Sequence, residues 1–305
     1  MSTPWPILDA DRDQPTFAIL HLVSQMLGKL RVAHSPWVNH GWHATLHPRP
    51  DGLAIDPIAG TGGKTFKLLL DLCRHEIGLT VSDGRTDAVP LVSGSVAAIR
   101  RGLAAMLDRH GLPSSFHGRP NEIADAMPFA EDDAPRVYDR DSAARLRDAL
   151  AVIVPAFEKF RAGFLGKASP VHFFWGSFDL AVTRFSGRLA PPHPGGVPGL
   201  PDRITREAYS HEVSSAGFWA GGVTRAEPMF YSYAYPEPPR FRDSKLEGPA
   251  RFDPDLGEFV LSYDAVRQSN DPAATLTRFL QSTYDLAADL GEWDRKVLER
   301  EPVAP

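Results

Sequence analysis

Apolar residues recur three and four positions apart over Thr16–Leu30, where Phe17, Leu20, Val23, Leu27 and Leu30 form the stripe of an amphipathic helix. The period drops to two at TFKLLLDL, which puts Phe66, Leu68, Leu70 and Leu72 on one face of a strand. Glu76–Ser82 and Thr86–Leu91, separated by Asp83-Gly84, predict a hairpin. The helical period returns with Val96, Ile99, Leu103, Met106 and Leu107, behind a Ser93 or Ser95 cap and ahead of Gly111. Residues 114–140, rich in Pro, Asp and Glu, read as a connector. Beyond it the order recurs. A helix runs from near Ser142 to near Leu165 with a bend at Pro155, followed by one apolar-aromatic strand, VHFFWGSFDLAVTRF, bulged at Gly176-Ser177. A Pro- and Gly-rich loop precedes strands around Ser210–Trp219, Phe230–Tyr235 and Glu258–Tyr263. Asp271-Pro272 opens a helix carrying Leu276, Phe279, Leu280, Tyr284, Ala287 and Leu290, and the last dozen residues are expected to fray.

Both halves therefore read helix, antiparallel strands, helix: an α+β fold of two tandem repeats, 1–114 and 141–305, joined by a connector at 115–140. A shift of 138 residues aligns Leu27-Gly28-Lys29 with Leu165-Gly166-Lys167, His34 with His172, Trp37 with Trp175 and Thr45 with Thr183. Those six identities in 19 positions exceed the roughly one that ordinary residue usage gives. The repetition implies a pseudo-twofold relation, with each Leu-Gly-Lys ending a helix.

The bulk chemistry narrows the function. A net charge of −5 without a run of Lys and Arg argues against a nucleic-acid partner. Cys73 is the only cysteine, which excludes an intramolecular disulfide and a thiolate metal cluster. Within the alternating run from Phe66 it reads as a small buried hydrophobe. The N-terminal MSTPWPILDADRD has no basic-then-apolar pattern, and no run of 18 apolar residues occurs, so a cytoplasmic protein without a membrane partner is expected.

GTGGKT at 60–65 lacks the first glycine of a phosphate-binding loop and leads into a strand, so it reads as a turn. No dinucleotide fingerprint, G-x-S-x-G elbow or H-E-x-x-H motif is present, so no nucleotide cofactor is expected. His34, Asn39, His40, His43 and His47 crowd 14 residues. On a strand, His43, Thr45 and His47 would share a face, as metal ligands or as hydrogen-bonded edge histidines. In the second half, His172, Asp179 and Arg184 interrupt an apolar strand, and a charge there must be paired or face a polar cavity. The first alternative pairs Asp179 with Arg184. TREAYSHEVSSAGFWAGG mixes Glu207, Ser210, His211, Glu212, Ser214 and Ser215 with glycines, the makings of general acid–base work or of a divalent transition-metal site. Trp175, Phe218, Trp219, Tyr231, Tyr233 and Tyr235 offer a flat wall for a small ligand or an aromatic core, and His193 sits in a proline-stiffened loop of the kind that forms lids.

SPVHFFWGSFDLAVTRFSGR, APPHPGGVP, EAYSHEVSSAGFW and YAYPEPP together resemble a bacterial family catalogued as domain of unknown function 5996. The resemblance runs from Trp5-Pro6 to Leu280-Gln281-Ser282-Thr283-Tyr284. It implies a bacterial, cytoplasmic origin and carries no activity, cofactor or site residues with it.

The residues point to a small-molecule enzyme with its site mainly in the second repeat. His172, Asp179, His211 and Glu212 are the expected catalytic groups. Arg184 is expected to bind an anionic substrate group, with Trp175, His193, Trp219, Tyr233 and Tyr235 as further ligand contacts. The alternatives are a non-catalytic metabolite- or metal-binding protein, and a scaffold in which these residues satisfy one another. Substrate, reaction class, metal and oligomeric state are not legible.

Overall fold

The computed structural model describes residues 5–223 and 225–300. Helix α1 (Ala10–Ala33) starts at Asp9, whose carboxylate accepts the Arg12 N–H at 2.9 Å. Every residue from Thr16 to Leu30 is buried. The predicted stripe thus belongs to a central helix enclosed on all sides, which packs on α2 (Val96–Arg109) and α3 (Arg140–Ala162). Asp13 ties α1 to α3, meeting Arg145 at 2.6 Å and the Ser142 hydroxyl at 2.8 Å.

The first sheet holds β1 (His47–Arg49), β2 (Gly52–Ala54), β3 (Ile58–Ala59), β4 (Thr65–Asp71), β5 (Glu76–Val81) and β6 (Thr86–Pro90). Its antiparallel order is β1-β2-β4-β5-β6, and β3 also pairs with β4. The second sheet holds β7 (His172–Phe174), β8 (Asp179–Leu189), β9 (His211–Trp219), β10 (Met229–Tyr235), β11 (Arg251–Asp253) and β12 (Glu258–Ser262), in the order β11-β12-β10-β9-β8-β7. Reciprocal hydrogen bonds of 2.8 and 2.7 Å between Leu46 and Phe173 join the two sheets edge to edge. The remaining helices are α4 (Asp202–Ala208), α5 (Tyr263–Arg267), α6 (Pro272–Leu290) and α7 (Arg295–Leu298). Helix and antiparallel sheet together make an α+β protein. Leu180, Val182, Phe218, Phe230 and Leu261 point from the second sheet toward α3 and α6. They belong to one continuous apolar core that draws on both halves of the chain.

Several expectations change. The positions matched by the 138-residue shift stand in unlike surroundings. Leu27-Gly28-Lys29 lies inside α1, where a Cβ on Gly28 would stand 2.0 Å from the Trp175 ring, so this glycine serves a close approach and not a helix end. Leu165-Gly166-Lys167 lies beyond α3, which ends at Gly163. The strand read through VHFFWGSFDLAVTRF is a hairpin, β7 and β8, turning at residues 175–178 with Phe178 at φ 60°. Residues 39–44 form a 3-10 segment with His40 at φ 59°, so His43 and His47 share no strand face. His43 accepts the Val38 N–H at 3.2 Å, and His47 lies 3.2 Å from Asp56. Cys73 is exposed, because β4 ends at Asp71, whose carboxylate accepts the N–H groups of Cys73 and Arg74 at 2.9 and 2.7 Å. Near the C-terminus α7 is docked, the Leu298 carbonyl accepting the Leu165 N–H at 2.7 Å; residues 301–305 of the expected tail lie outside the described residues. Among the described residues, no helix is long and apolar enough to cross a membrane.

Candidate functional site

Strand parity divides the second sheet into two faces. The face away from the helices carries Asp179, Ala181 and Thr183 from β8, Val213, Ser215 and Trp219 from β9, Tyr231 and Tyr233 from β10, and Glu258 from β12. These residues floor a cavity of about 680 Å³. That size and its aromatic walls suit a small-molecule ligand. Its sides come from Lys29 on α1, from residues 40–44, and from Asn121 and Glu122 of the connector. Residues 197–209, which include α4, close it.

The connector is therefore part of the site. The Asn121 backbone exchanges hydrogen bonds with the Gln25 side chain at 2.8 and 2.9 Å, and the Glu122 N–H donates to the Pro198 carbonyl at 2.8 Å. Lys29 donates its Nζ to the Asn121 Oδ1. Burial lowers the Lys29 pKa to about 8, against the opposing pull of Glu122. Two glycines make room for the acidic groups. A Cβ on Gly176 would stand 1.9 Å from the Glu122 Oε1, and one on Gly217 would stand 2.2 Å from the Tyr231 hydroxyl. With Gly217 free of a side chain, the Tyr231 ring lies across β9 and donates its hydroxyl to the Asp179 Oδ2. The Ser177 hydroxyl donates to Oδ1 at 2.5 Å.

Three carboxyl groups thus meet one apolar-walled space. Burial raises Asp179 to about 6, against the pull of its two hydroxyl donors. Glu122 rises to about 7 through burial and then the nearby Asp179, opposed by Lys29. Glu258 rises to about 8 through burial and Asp179, opposed by Arg225. Among the described residues none of the three enters a salt bridge, since each recorded pair involves other acids. The hydroxyls of Tyr209 and Tyr233 meet at 2.7 Å and those of Thr183 and Ser215 at 2.9 Å, so much of the polar floor is bonded to itself.

The sequence-led candidates divide by face. Asp179, Trp175, Trp219 and Tyr233 border the cavity. Arg184 has the opposite parity and lies among helix side chains, its guanidinium 3.5 Å from the Phe160 ring centre and 4.2 Å from that of Tyr284. It reaches neither Asp179 nor the cavity. His172 is buried beneath Trp42, with Nδ1 3.1 Å from the Thr45 hydroxyl and Nε2 without a partner among the described residues. Burial drives its pKa down to about 3, which keeps it neutral. His211 is not among the cavity-lining residues; its ring lies 5.9 Å from that of His40, and it contacts the Ser210 hydroxyl at 3.0 Å. Glu212 points to the other face and pairs with Arg188 at 2.7 Å, so His211 and Glu212 do not form a unit. His193 stacks on Tyr209 at 4.7 Å, and Tyr235 donates to the Pro191 carbonyl at 3.0 Å; both brace the covering loop. Among the described residues, no group of three or more His, Cys, Asp or Glu side chains is arranged to hold a metal ion.

The geometry also brings in Lys29, Asn121, Glu122, Tyr209 and Glu258, which sequence reasoning did not select. Glu122 sits in the stretch whose Pro, Asp and Glu content predicts a connector, and Lys29 in the Leu-Gly-Lys that the repeat match predicts to end a helix. A family model described as a family of unknown function, DUF5996, matches residues 5–300. The chain belongs to that family. No curated protein and no solved structure matches it. What this DUF5996 chain does is therefore argued from its own cavity.

Proposed function

We propose that the chain is a small-molecule enzyme whose cavity moves protons with two unlike carboxyl groups, Asp179 and Glu122. The supporting observation is their convergence, from β8 and from the connector, on one aromatic-walled cavity without an ion-pair partner. Asp179 accepts two hydroxyl hydrogen bonds, which favour its ionised form and suit it to act as base. Glu122, pushed up to about 7 by burial and by Asp179, keeps its proton more readily and suits the role of acid. One proton passes from the bound substrate to Asp179 while another passes from Glu122 to a second substrate position. Lys29 offers a charge to steady the anion that forms between those steps. Trp175, Trp219 and Tyr233 wall the substrate.

A second reading, a non-catalytic binding protein, draws support from the paired hydroxyls of the floor, which are already bonded to one another. Mass-spectrometric profiling of a metabolite extract incubated with purified protein separates the two. The enzyme reading expects a compound consumed by the wild type and turned over about a hundredfold more slowly by Asp179→Asn and Glu122→Gln. Compounds that are retained but never converted, with the variants changing affinity alone, would favour the binding protein.

A further inference from the structure

The charges around the cavity do not balance. Glu122, Asp179 and Glu258 border it. Lys29, bonded to Asn121, is the buried cation facing them. Arg203 lies exposed at the mouth, 5.9 Å from the Trp37 ring centre, and Arg225 stacks on Trp219 at 4.7 Å. His40 is held neutral, its lowered pKa following from burial, with Nδ1 3.1 Å from the Ala208 carbonyl and Lys167 at 2.5 Å from Nε2. His117 is exposed at the rim. An ionised carboxylate away from water needs a partner, and three carboxyls here share one buried ammonium.

Two further polar groups of the cavity lining are unpartnered among the described residues. Thr205 lines the cavity at 4 % exposure, and its hydroxyl has no hydrogen-bond partner among the described residues. The Glu258 Oε2 is likewise buried without a partner. The lining includes the rings of Trp42, Trp175, Trp219, Tyr231 and Tyr233, with Lys29 5.3 Å from the Trp175 ring centre and Lys167 5.4 Å from that of Trp42. Aromatic faces beside carboxylates recognise an organic cation, through the ring quadrupole and through charge.

We propose that the cavity's ligand is an organic ammonium ion with an apolar body, held over the aromatic rings and neutralised by Asp179 and Glu258. This deepens the small-molecule reading above and rests on it. Entry of the cation favours ionised carboxyls, so protons leave as it binds, and affinity rises with pH between about 6 and 8. The tyrosines facing the cavity, Tyr209, Tyr231 and Tyr233, have pKa values raised by burial and stay protonated throughout that window.

Calorimetric titration of the full chain with phenyltrimethylammonium, its neutral isostere tert-butylbenzene, and benzoate tests this. Repeating it in buffers of different ionisation enthalpy counts the protons released. The expected result is a preference of about tenfold or more for the cation over the isostere, with proton release and tighter binding as pH rises. Glu258→Gln should narrow that preference. Equal or tighter binding of tert-butylbenzene or benzoate would overturn the cation while leaving the small-molecule site standing. Failure of all three probes to bind or to perturb tryptophan fluorescence would overturn both.

Discussion

Asp179 and Arg184 lie five residues apart on β8, both nearly sealed from water, and they face opposite ways. Arg184 points into the helical layer, where the rings of Phe160, Phe164 and Tyr284 surround its guanidinium and the Phe160 carbonyl accepts from it. Burial draws its pKa down to about 10, so it stays charged at neutral pH, steadied by ring faces and a carbonyl. Asp179 points the other way, compensated by two hydroxyls beside open space. Burial alone says that a charge must be compensated. The face of the strand decides whether that compensation leaves room for a ligand. On one face the charge is packed among rings and one carbonyl, its Nε without a partner among the described residues; on the other, three carboxyls line the cavity.

The largest effect that separates the faces is expected at Arg184. Arg184→Ala should cost about 3 kcal/mol of stability, because it leaves a cavity among three aromatic rings. Arg184→Met keeps most of the volume without the charge and should stay within about 1 kcal/mol of the wild type. Urea denaturation measures both. Affinity of Arg184→Met for phenyltrimethylammonium should be unchanged, and a loss would break the division between a structural face and a ligand face.

Much of this arrangement is written in the chain's periodicity. The alternation of β4 and of β8 to β10, the Asp271-Pro272 helix start and the Ser95 cap all have local causes, and all stand where those causes put them. The site is less legible because its members meet only through tertiary contacts. Asp179, Trp175, Trp219 and Tyr233 stand out as polar or aromatic residues in strands. Glu122 has no such background, since its place depends on Gln25, Pro198 and the space left by Gly176. Arg184 and His172 drew attention for the same reason as Asp179, burial amid apolar neighbours. Strand parity separates Arg184 from Asp179, and the β7–β8 turn that interrupts the predicted strand sets His172 opposite Ala181, packed against Trp42 and outside the cavity lining.

A smaller and pH-dependent effect is expected at Glu258. It titrates near 4.5 in an unfolded chain and at about 8 when folded, because burial and the nearby Asp179 disfavour its charge. The folded state therefore holds the extra proton between those values. Its contribution to stability is complete below about pH 4.5 and is lost as pH rises through about 8. Glu258→Gln removes that loss. The variant should gain on the wild type by on the order of 1–3 kcal/mol between about pH 5 and pH 8, read by urea denaturation at both. Asp179 and Glu122, raised to about 6 and about 7, push the wild type in the same direction, so a residual slope should persist in the variant. A pH-independent difference would remove Glu258 from the set of buried carboxyls.

The smallest expected effect is at Thr205 on α4, which packs on the 3-10 segment that walls the cavity. Its hydroxyl is buried without a partner among the described residues, so it carries a desolvation cost with no hydrogen bond to offset it. Thr205→Val keeps the shape and drops the hydroxyl. If the group exists only to pack, the variant should be more stable by about 0.5–1 kcal/mol, with probe affinity unchanged. If it exists for a ligand, the same gain should come with weaker binding of an ammonium probe that bears a hydroxyl, by about threefold to tenfold, and no change for phenyltrimethylammonium. The pair of probes matters because the cation is held by rings and carboxylates whichever answer is right. Only the hydroxyl-bearing one asks whether the Thr205 hydroxyl on the cavity side differs in kind from the Arg184 Nε, which is also buried without a partner among the described residues.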